Sequence, residues 1–200
     1  MSDVVLYATD TMADWEYAYL TAGLAWVDDG RFRLRVLGDG ATSVTTKGRL
    51  RVATDGPLDA VDEDEVALLV LPGADSWGSG HETALALAAR LLARGVPVAA
   101  ICGATLGLAR AGLLDEREHT SNAADFLLAS GYAGGVHYQD AAVVEDRDVI
   151  TAPATRPVDF AAALFRRLEV FPAAVVDAWY GLYTTGERRF YDQLAGPGAA

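Results

Sequence analysis

The chain has 200 residues, a formal net charge of −12, 52% hydrophobic residues and 22% charged residues, which suits one globular domain with a sizeable core. The acidic balance, without a basic stripe, argues against nucleic-acid binding. With no apolar stretch of about 18 residues and no recognisable signal peptide, we expect a cytoplasmic protein without a membrane partner.

The first third of the chain alternates apolar strand patterns with a helical pattern. Residues 4–8 predict a strand, and residues 12–28 predict a helix with a buried face formed by Trp15, Tyr19, Leu20, Leu24 and Val27. Residues 32–37 alternate as in a strand with one wet face. Residues 42–52 predict a hairpin around Lys47 and Gly48, and residues 66–71 predict a buried strand that ends at Pro72 and Gly73.

The rest of the chain continues this alternation. Residues 81–94 predict a helix, and residues 96–109 predict a short buried strand that runs through Cys102 into a helix. Residues 119–121 are compatible with a short strand, and residues 141–151 predict a hairpin with a charged turn. The remaining predicted elements are helices over 123–130, 158–168 and 172–183, followed by a loose tail at 196–200.

This order predicts an α/β sandwich, with a mainly parallel sheet between helices, in a single domain over residues 1–200 with a C-terminal helix and tail in residues 172–200. Sites in such sheets collect at the carboxyl ends of strands. Three of these ends carry suggestive residues, at 9–16, at 72–77 and at Cys102.

Cys102 is the only cysteine, which excludes an internal disulfide, and it falls at the junction of a predicted strand and helix. Ala100 and Ala104 flank it, so a sharp nucleophile elbow is sterically possible. A helix N-terminus beside the sulfur favours the thiolate, so we expect a lowered thiol pKa. The alternative is a buried structural cysteine. His81, His119 and His137 lack metal-site spacing, and we expect neither a metal nor another cofactor.

Three further residues would complete a reactive site around Cys102. The N–H groups of Ala74, in the turn after Pro72, and of Gly103 would form an oxyanion hole. Glu16 lies in an apolar stretch, where a buried carboxyl would have a raised pKa and would donate a hydrogen bond to the thiolate. Alternatively, Glu16 is a solvent-facing helix residue.

The order and spacing of several motifs resemble the DJ-1/ThiJ/PfpI superfamily, a branch of the class I glutamine amidotransferase-like fold. The resemblance covers about residues 4–170 and is strongest at five segments: 68–73, 98–104, 106–114, 120–122 and 149–152. It implies a flavodoxin-like three-layer sandwich and a homodimer. It also implies a reactive elbow cysteine at Cys102, the family's acid at Glu16, and backbone oxyanion groups at Ala74 and Gly103.

The chain also departs from the family's patterns. Protease-like members carry histidine directly after the cysteine, where this chain has Gly103, and other members carry histidine at the position of Asn122. The late His-x-Glu pair of glutamine amidotransferases is absent from the sequence. Asn122 can orient water or substrate but cannot accept a proton. His119 either approaches the site or points away from it, so no general base for Cys102 is evident.

Several residues have both a site interpretation and a packing interpretation. Asp75 and Ser76 are candidates for substrate contact, and Trp77 either walls the pocket or belongs to the core. Aromatic residues on the last predicted helix form one face that either packs within the chain or lies in a dimer interface: Trp179, Tyr180 and Tyr183.

Three functions follow from these residues. The first is a cysteine-dependent hydrolase, amidase or glyoxalase-like enzyme acting on a small carbonyl or amide compound. The second is a redox-sensing or stress-response protein whose Cys102 oxidises to a sulfinate. The third is a binding module with an inert cysteine. The absent histidine argues against efficient peptide hydrolysis, whereas glyoxalase-like chemistry needs only the cysteine and an acid.

Overall fold

The computed structural model describes residues 1–27 and 29–195, which are organised around a seven-stranded sheet. The strands are, in chain order, β1 (Ser2–Ala8), β2 (Phe32–Gly38), β3 (Ser43–Thr45), β4 (Arg51–Ala53), β5 (Gly56–Pro57), β6 (Val66–Leu71), β7 (Val98–Ile101), β8 (Val144–Asp146) and β9 (Val149–Ala152). The α-helices are α1 (Asp14–Trp26), α2 (Glu82–Ala93), α3 (Gly103–Arg110), α4 (Ala124–Leu128), α5 (Pro157–Arg167), α6 (Ala173–Thr185) and α7 (Arg188–Leu194).

The sheet has the order β5-β2-β1-β6-β7-β9-β8, and every neighbouring pair is parallel except β8 with β9. The predicted α/β sandwich with a mainly parallel sheet is therefore confirmed. After β1 the chain moves to β2 on one side, and it later returns to β6 on the other side of β1. This reversal opens a crevice at the carboxyl ends of β1 and β6, where open α/β sheets bind their ligands.

Both faces of the sheet are buried, as expected for apolar parallel strands. Residues of α1, α5 and α6 pack with Leu6, Val70 and Ile101 on one face, whereas residues of α2 and α3 pack with Val5 and Leu71 on the other. Each of these fully buried aliphatic side chains contributes about 1.5–3 kcal/mol relative to an exposed one. None of the helices in the two described ranges is long and apolar enough to cross a membrane.

The predicted buried face of α1 is wrong in one important respect. Trp15 is 48% exposed, whereas Glu16, Leu20 and Gly23 are buried. The reason is the close approach of α5, because a Cβ atom added at Gly23 would lie 2.2 Å from the Phe165 ring. This packing turns the Glu16 edge of the helix inward. The helix was predicted to reach Asp28, which lies outside the described residues.

Other differences from the sequence predictions are local. The hairpin predicted at residues 42–52 forms as β3 and β4, which make a separate antiparallel sheet. Residues 119–121 are not a strand, and only a single parallel bridge joins His119 to Tyr138. The segment after residue 172 contains two helices, α6 and α7, of which α7 was not predicted. The predicted tail at 196–200 lies outside the described residues.

Candidate active site

Cys102 occupies a strained turn between β7 and α3. Its backbone angles are φ 60° and ψ −124°, which confirms the predicted unusual conformation. The Cys102 N–H donates to the Ala152 carbonyl oxygen at 2.9 Å, so the next strand of the sheet holds this turn in place. The side chain is half-buried and lies at the carboxyl end of β7. This geometry is the nucleophile elbow that the sequence predicted.

Gly73 allows the acid and the thiol to approach the same point. A Cβ atom added at Gly73 would lie 2.8 Å from Glu16 Oε2, 2.7 Å from Cys102 Cβ and 2.9 Å from Cys102 Sγ. Only a residue without a side chain fits between these groups. The loop after β6 therefore lets the Glu16 carboxyl and the Cys102 thiol come close together, although the two residues are far apart in the sequence.

Glu16 is a buried acid with one unsatisfied oxygen. The residue is 1% exposed, and its Oε2 accepts a hydrogen bond of 2.6 Å from the Gly73 N–H. The other oxygen, Oε1, is buried and has no hydrogen-bond partner among the described residues. A buried carboxylate oxygen without a donor favours the protonated acid. Burial accordingly raises the pKa of Glu16 from 4.5 to about 7.

The expectation of a lowered thiol pKa is wrong. Burial and the negative charge of Glu16 raise the pKa of Cys102 to about 11, and together they outweigh the hydrogen bonds that the thiolate receives from Asn122 and Gly103. The pKa of Glu16 lies near neutral pH and that of the thiol well above it, so over the range between the two pKa values the acid and the thiol hold one proton between them.

The two predicted oxyanion donors lie in backbone segments near Cys102. The Gly103 N–H, at the start of α3, follows the thiol directly in the chain and lowers its pKa, although not enough to offset burial. A Cβ atom added at Gly103 would lie 3.5 Å from the Ala74 nitrogen, so the two backbone segments are in close contact. The Ala74 N–H donates no hydrogen bond within the described residues. The two segments that carry the predicted oxyanion donors are therefore neighbours at the start of α3, and their role as oxyanion donors stays a prediction.

Asn122 contacts the thiol from the exposed side of the site. Its Nδ2 donates to Cys102 Sγ at 3.4 Å, and its Oδ1 accepts a hydrogen bond of 2.8 Å from the Ala154 N–H. The second bond determines which end of the amide faces the sulfur. Asn122 can thus stabilise negative charge on the sulfur or hydrogen-bond to a bound molecule, but it cannot act as a base.

The structure does not bring His119 into the site. The ring is fully buried, with Nδ1 bonded to the Arg117 carbonyl oxygen at 2.7 Å and Nε2 bonded to the Tyr132 hydroxyl at 2.9 Å. The expectation that His119 contacts a substrate is therefore not supported. Its polar atoms are satisfied by the core, which is the packing alternative for a histidine in this segment.

The segment after Ala74 divides between the rim of the site and the core. Asp75 is exposed at the rim, and the Ser76 hydroxyl is bonded to His81 Nε2 at 2.9 Å. Trp77 is 1% exposed and donates to the Pro72 carbonyl oxygen, so it belongs to the core.

Sequence reasoning missed Lys47, whose ammonium lies 2.6 Å from Asp75 Oδ1 at the same rim. The available signal was that the only lysine of the chain lies in a predicted hairpin turn.

The chain is similar in sequence and in structure to known proteins of one family. The sequence profile of the DJ-1/PfpI family matches residues 2–167. The chain is 35% identical to the uncharacterized protease YoaZ of Bacillus subtilis, over 96% of this chain and 95% of that protein. It resembles the crystal structure of a ThiJ/PfpI family protein from Bacillus anthracis, with a TM-score of 0.90, 33% identity and coverage of 96% and 95%. A DJ-1 superfamily protein from Agrobacterium tumefaciens has a TM-score of 0.81, 32% identity and coverage of 94% and 100%.

Proposed function

Because this chain belongs to the DJ-1/PfpI family, we propose that it is a cysteine-dependent enzyme acting on the carbonyl group of a small molecule. Among the hydrolase, amidase and glyoxalase-like reactions, glyoxalase-like conversion of a 2-oxoaldehyde agrees best with the site. The observation that carries the proposal is the buried Oε1 of Glu16, which has no hydrogen-bond partner among the described residues, in a carboxyl group that meets Cys102 above Gly73.

The first step uses the proton that Glu16 and Cys102 share. Ionised Glu16 accepts the thiol proton as Cys102 Sγ attacks the aldehyde carbon, so an S–C bond forms while the carbonyl π bond becomes an oxyanion. The Ala74 and Gly103 N–H groups stabilise that oxyanion. A thiol with a pKa of about 11 needs such a base at neutral pH. The raised pKa of Glu16, about 7, suits it to accept and return protons.

In the later steps Glu16 is the only side chain that moves protons. Protonated Glu16 first returns its proton to the oxyanion, which gives a hemithioacetal. Its carboxylate then takes the C–H proton of the attacked carbon and delivers it to the neighbouring carbonyl carbon, while the hydroxyl proton passes to the oxygen of that carbonyl, and the product is a thioester of a 2-hydroxy acid. Water then cleaves the thioester and releases Cys102. The substrate itself is both oxidised and reduced, so the reaction requires no external oxidant or reductant.

The protease activity in the names of the relatives is less well supported by this site. Peptide hydrolysis requires a group that protonates the leaving amine, and histidine usually has this role in cysteine proteases. No histidine hydrogen-bonds to Cys102 within residues 1–27 and 29–195. His81 is occupied by Tyr7 and Ser76. Small activated carbonyl compounds, which have no amine leaving group, avoid this requirement.

Conversion of methylglyoxal to lactate tests the proposal. We expect Cys102→Ser and Glu16→Gln each to lower kcat/KM by at least about 100-fold, whereas Glu116→Gln, on an exposed residue, leaves it unchanged. In the wild type, kcat/KM should rise with pH through about 7, as the acid and thiol lose their first proton. Wild-type turnover that persists in Glu16→Gln would contradict the assigned role.

A redox role is the second candidate, and the hydrogen-bond donors around Cys102 favour it. A sulfinate would accept hydrogen bonds from Asn122 Nδ2, from the two backbone N–H groups and from protonated Glu16. Mass spectrometry after peroxide treatment separates the two functions. A gain of two oxygens on Cys102, without turnover of methylglyoxal or of small amides, would support the redox role over the enzymatic one.

The remaining parts of the proposal concern the setting of the protein. A single half-buried thiol suits a reducing compartment, and we propose that the protein acts in the cytoplasm on a small-molecule substrate. We also propose that it is one domain and forms a homodimer, in keeping with the exposed aromatic side chains of α1 and α6.

A further inference from the structure

Lys47 is held at the mouth of the site by a set of hydrogen bonds from its backbone and neighbours. The Lys47 N–H donates to the Met12 carbonyl oxygen at 3.0 Å, and the Gly48 N–H donates to Asp14 Oδ2 at 2.7 Å. These bonds attach the β3–β4 turn to the start of α1, the helix that carries Glu16. The turn therefore has a defined position relative to the acid.

The Lys47 side chain reaches the loop that supplies one oxyanion donor. Its Nζ lies 2.6 Å from Oδ1 of Asp75, and Asp75 directly follows Ala74. The ammonium is therefore paired with the residue next to Ala74 in the chain. The Asp75 N–H donates to Thr11 Oγ1 at 2.9 Å, which fixes the loop on the same rim.

The charges around Lys47 agree with its position at the mouth of the site. The hydrogen bond to Asp75 raises the pKa of Lys47, and the negative charges of Asp75, Cys102 and Glu16 raise it further. Lys47 thus lies within electrostatic reach of both reacting groups. It is the only lysine in a chain with a net charge of −12, a charge that otherwise repels anions from the surface.

The ion pair at the rim is easily exchanged. The side chains of Lys47 and Asp75 are 45% and 64% exposed, and ion pairs that are this open to water contribute little to stability. A ligand carboxylate can therefore replace Asp75 as the partner of Lys47 at small cost. The Asp75 side chain would then turn into solvent.

We propose that Lys47 is an anion-recognition residue and that the preferred substrates carry a carboxylate close to the reacting carbonyl, as 2-oxo acids with an aldehyde group do. Asp75 competes with the substrate carboxylate and keeps the unoccupied site neutral at its rim. This inference rests on the proposed function, because it assumes that Cys102 is the reacting group. It adds a substrate class that the site geometry around Glu16 does not determine.

Alkylation of Cys102 by iodoacetate and iodoacetamide tests the proposal without a known substrate. Both reagents form the same S–CH₂ bond and release iodide, but only iodoacetate carries a carboxylate. The measured quantity is the ratio of the two alkylation rates at Cys102, because a change in thiol reactivity affects both rates and cancels in the ratio. Mass spectrometry of the intact protein follows each reaction, with Cys102→Ser as the blank.

We expect Lys47→Gln to lower the iodoacetate-to-iodoacetamide ratio about three- to fivefold, as for the loss of one partly exposed charge contact. Lys47→Arg should keep the ratio, and Asp75→Asn should raise it, because the competing carboxylate is gone. Arg49→Gln is the matched control, since Arg49 is an exposed cation on the same turn. The wild-type ratio should fall as the salt concentration rises.

Each outcome bears on a different claim. An equal ratio in the wild type and Lys47→Gln overturns the anion site, as does a fall of the same size in Arg49→Gln, which would indicate a general surface field. Parallel changes of both rates show that Lys47 only tunes the thiol, and they also overturn the proposal. A Lys47-dependent ratio without turnover of any aldehyde supports the anion site and contradicts the proposed enzymatic function.

Discussion

At the scale of single residues, the site depends on a carboxyl group that is buried without a full set of partners. Glu16 receives one hydrogen bond from Gly73 and none at Oε1 within the described residues. Such a group is costly to ionise in the folded chain but not in the unfolded chain. The raised pKa of Glu16 should therefore appear as a free energy of unfolding that falls as the pH rises.

Replacing Glu16 by glutamine should stabilise the protein at high pH. The folded-state pKa of Glu16, about 7, exceeds its ordinary value of 4.5, so its stabilising contribution is present below pH 4.5 and is lost as pH rises through 7. The full difference corresponds to about 3 kcal/mol. In urea denaturation, the free energy of unfolding of Glu16→Gln should exceed that of the wild type by up to this amount at pH 8 and should match it near pH 4.

Glu116→Gln is the matched control for this measurement, because Glu116 is exposed. It should give the wild-type difference in unfolding free energy between pH 4 and pH 8. If Glu16→Gln lost stability between these two pH values as steeply as the wild type does, Glu16 would not be the buried acid responsible for the change.

At the scale of elements, α3 is positioned by contact between a glycine and an aromatic ring. A Cβ atom added at Gly107 would lie 2.3 Å from Trp77 Cε3. Trp77 cannot easily move, since its Nε1 donates to the Pro72 carbonyl oxygen at 2.9 Å and its ring stacks on His81 at 4.1 Å. The helix that begins at the elbow and the loop that carries Gly73 are thus packed against the same side chain.

Gly107→Ala should destabilise the protein in spite of the better helix propensity of alanine. Alanine stabilises a helix interior by about 1 kcal/mol relative to glycine, but a clash with a fixed ring destabilises the protein by about 1–3 kcal/mol or more. We therefore expect a net loss of about 1–2 kcal/mol in urea denaturation. Gly78→Ala, where the added Cβ atom has no neighbour within 4 Å, should stay within about 0.5 kcal/mol of the wild type. Equal stability of both variants would contradict the packing account.

Elements whose signals are local in the sequence could be predicted, and those that depend on distant contacts could not. The strand at residues 66–71, the hairpin around Lys47 and the turn at Cys102 follow from apolar runs, turn residues and small neighbours. The orientation of α1 is set by Phe165 of α5, so Trp15 appeared to be a core residue. The position of Lys47 depends on a turn that packs on α1, a contact without a sequence signature.

The chemical environment of Cys102 could be predicted only in part. The elbow follows from residues adjacent in the chain, and the unusual backbone conformation of Cys102 was predicted. The sign of the thiol pKa shift depends on how deeply the sulfur is buried and on the charge of Glu16 beside it. Neither quantity is visible in a sequence, and both outweigh the helix N-terminus that the sequence does indicate.

At the scale of the whole molecule, large apolar side chains remain exposed on the helices. Trp15 is 48% exposed on α1, and Tyr183 is 49% exposed on α6. Tyr19, one turn after Trp15, packs against Tyr183 at 5.3 Å between ring centres, so the two helices form one continuous surface. Exposed aromatic patches of this kind commonly mark interfaces.

We predict that this surface pairs two copies of the chain. Light scattering at micromolar concentration should give about twice the chain mass of 21.1 kDa. Trp15→Glu should weaken the dimer at least about tenfold, as expected for a central aromatic contact. Val136→Glu, at a residue that is 87% exposed, is the control and should leave the mass unchanged. A monomer mass for the wild type would contradict this prediction.

The β3–β4 hairpin comes between β2 and β5 along the chain but lies outside the seven-stranded sheet. It nevertheless carries the lysine at the mouth of the site. Cys102, Glu16 and the loop after β6 instead belong to segments that pack on the main sheet. On the proposed function, the hairpin would supply selectivity while the sheet and its helices supply reactivity. Grafting hairpins between homologues is the corresponding route to altered selectivity in the laboratory.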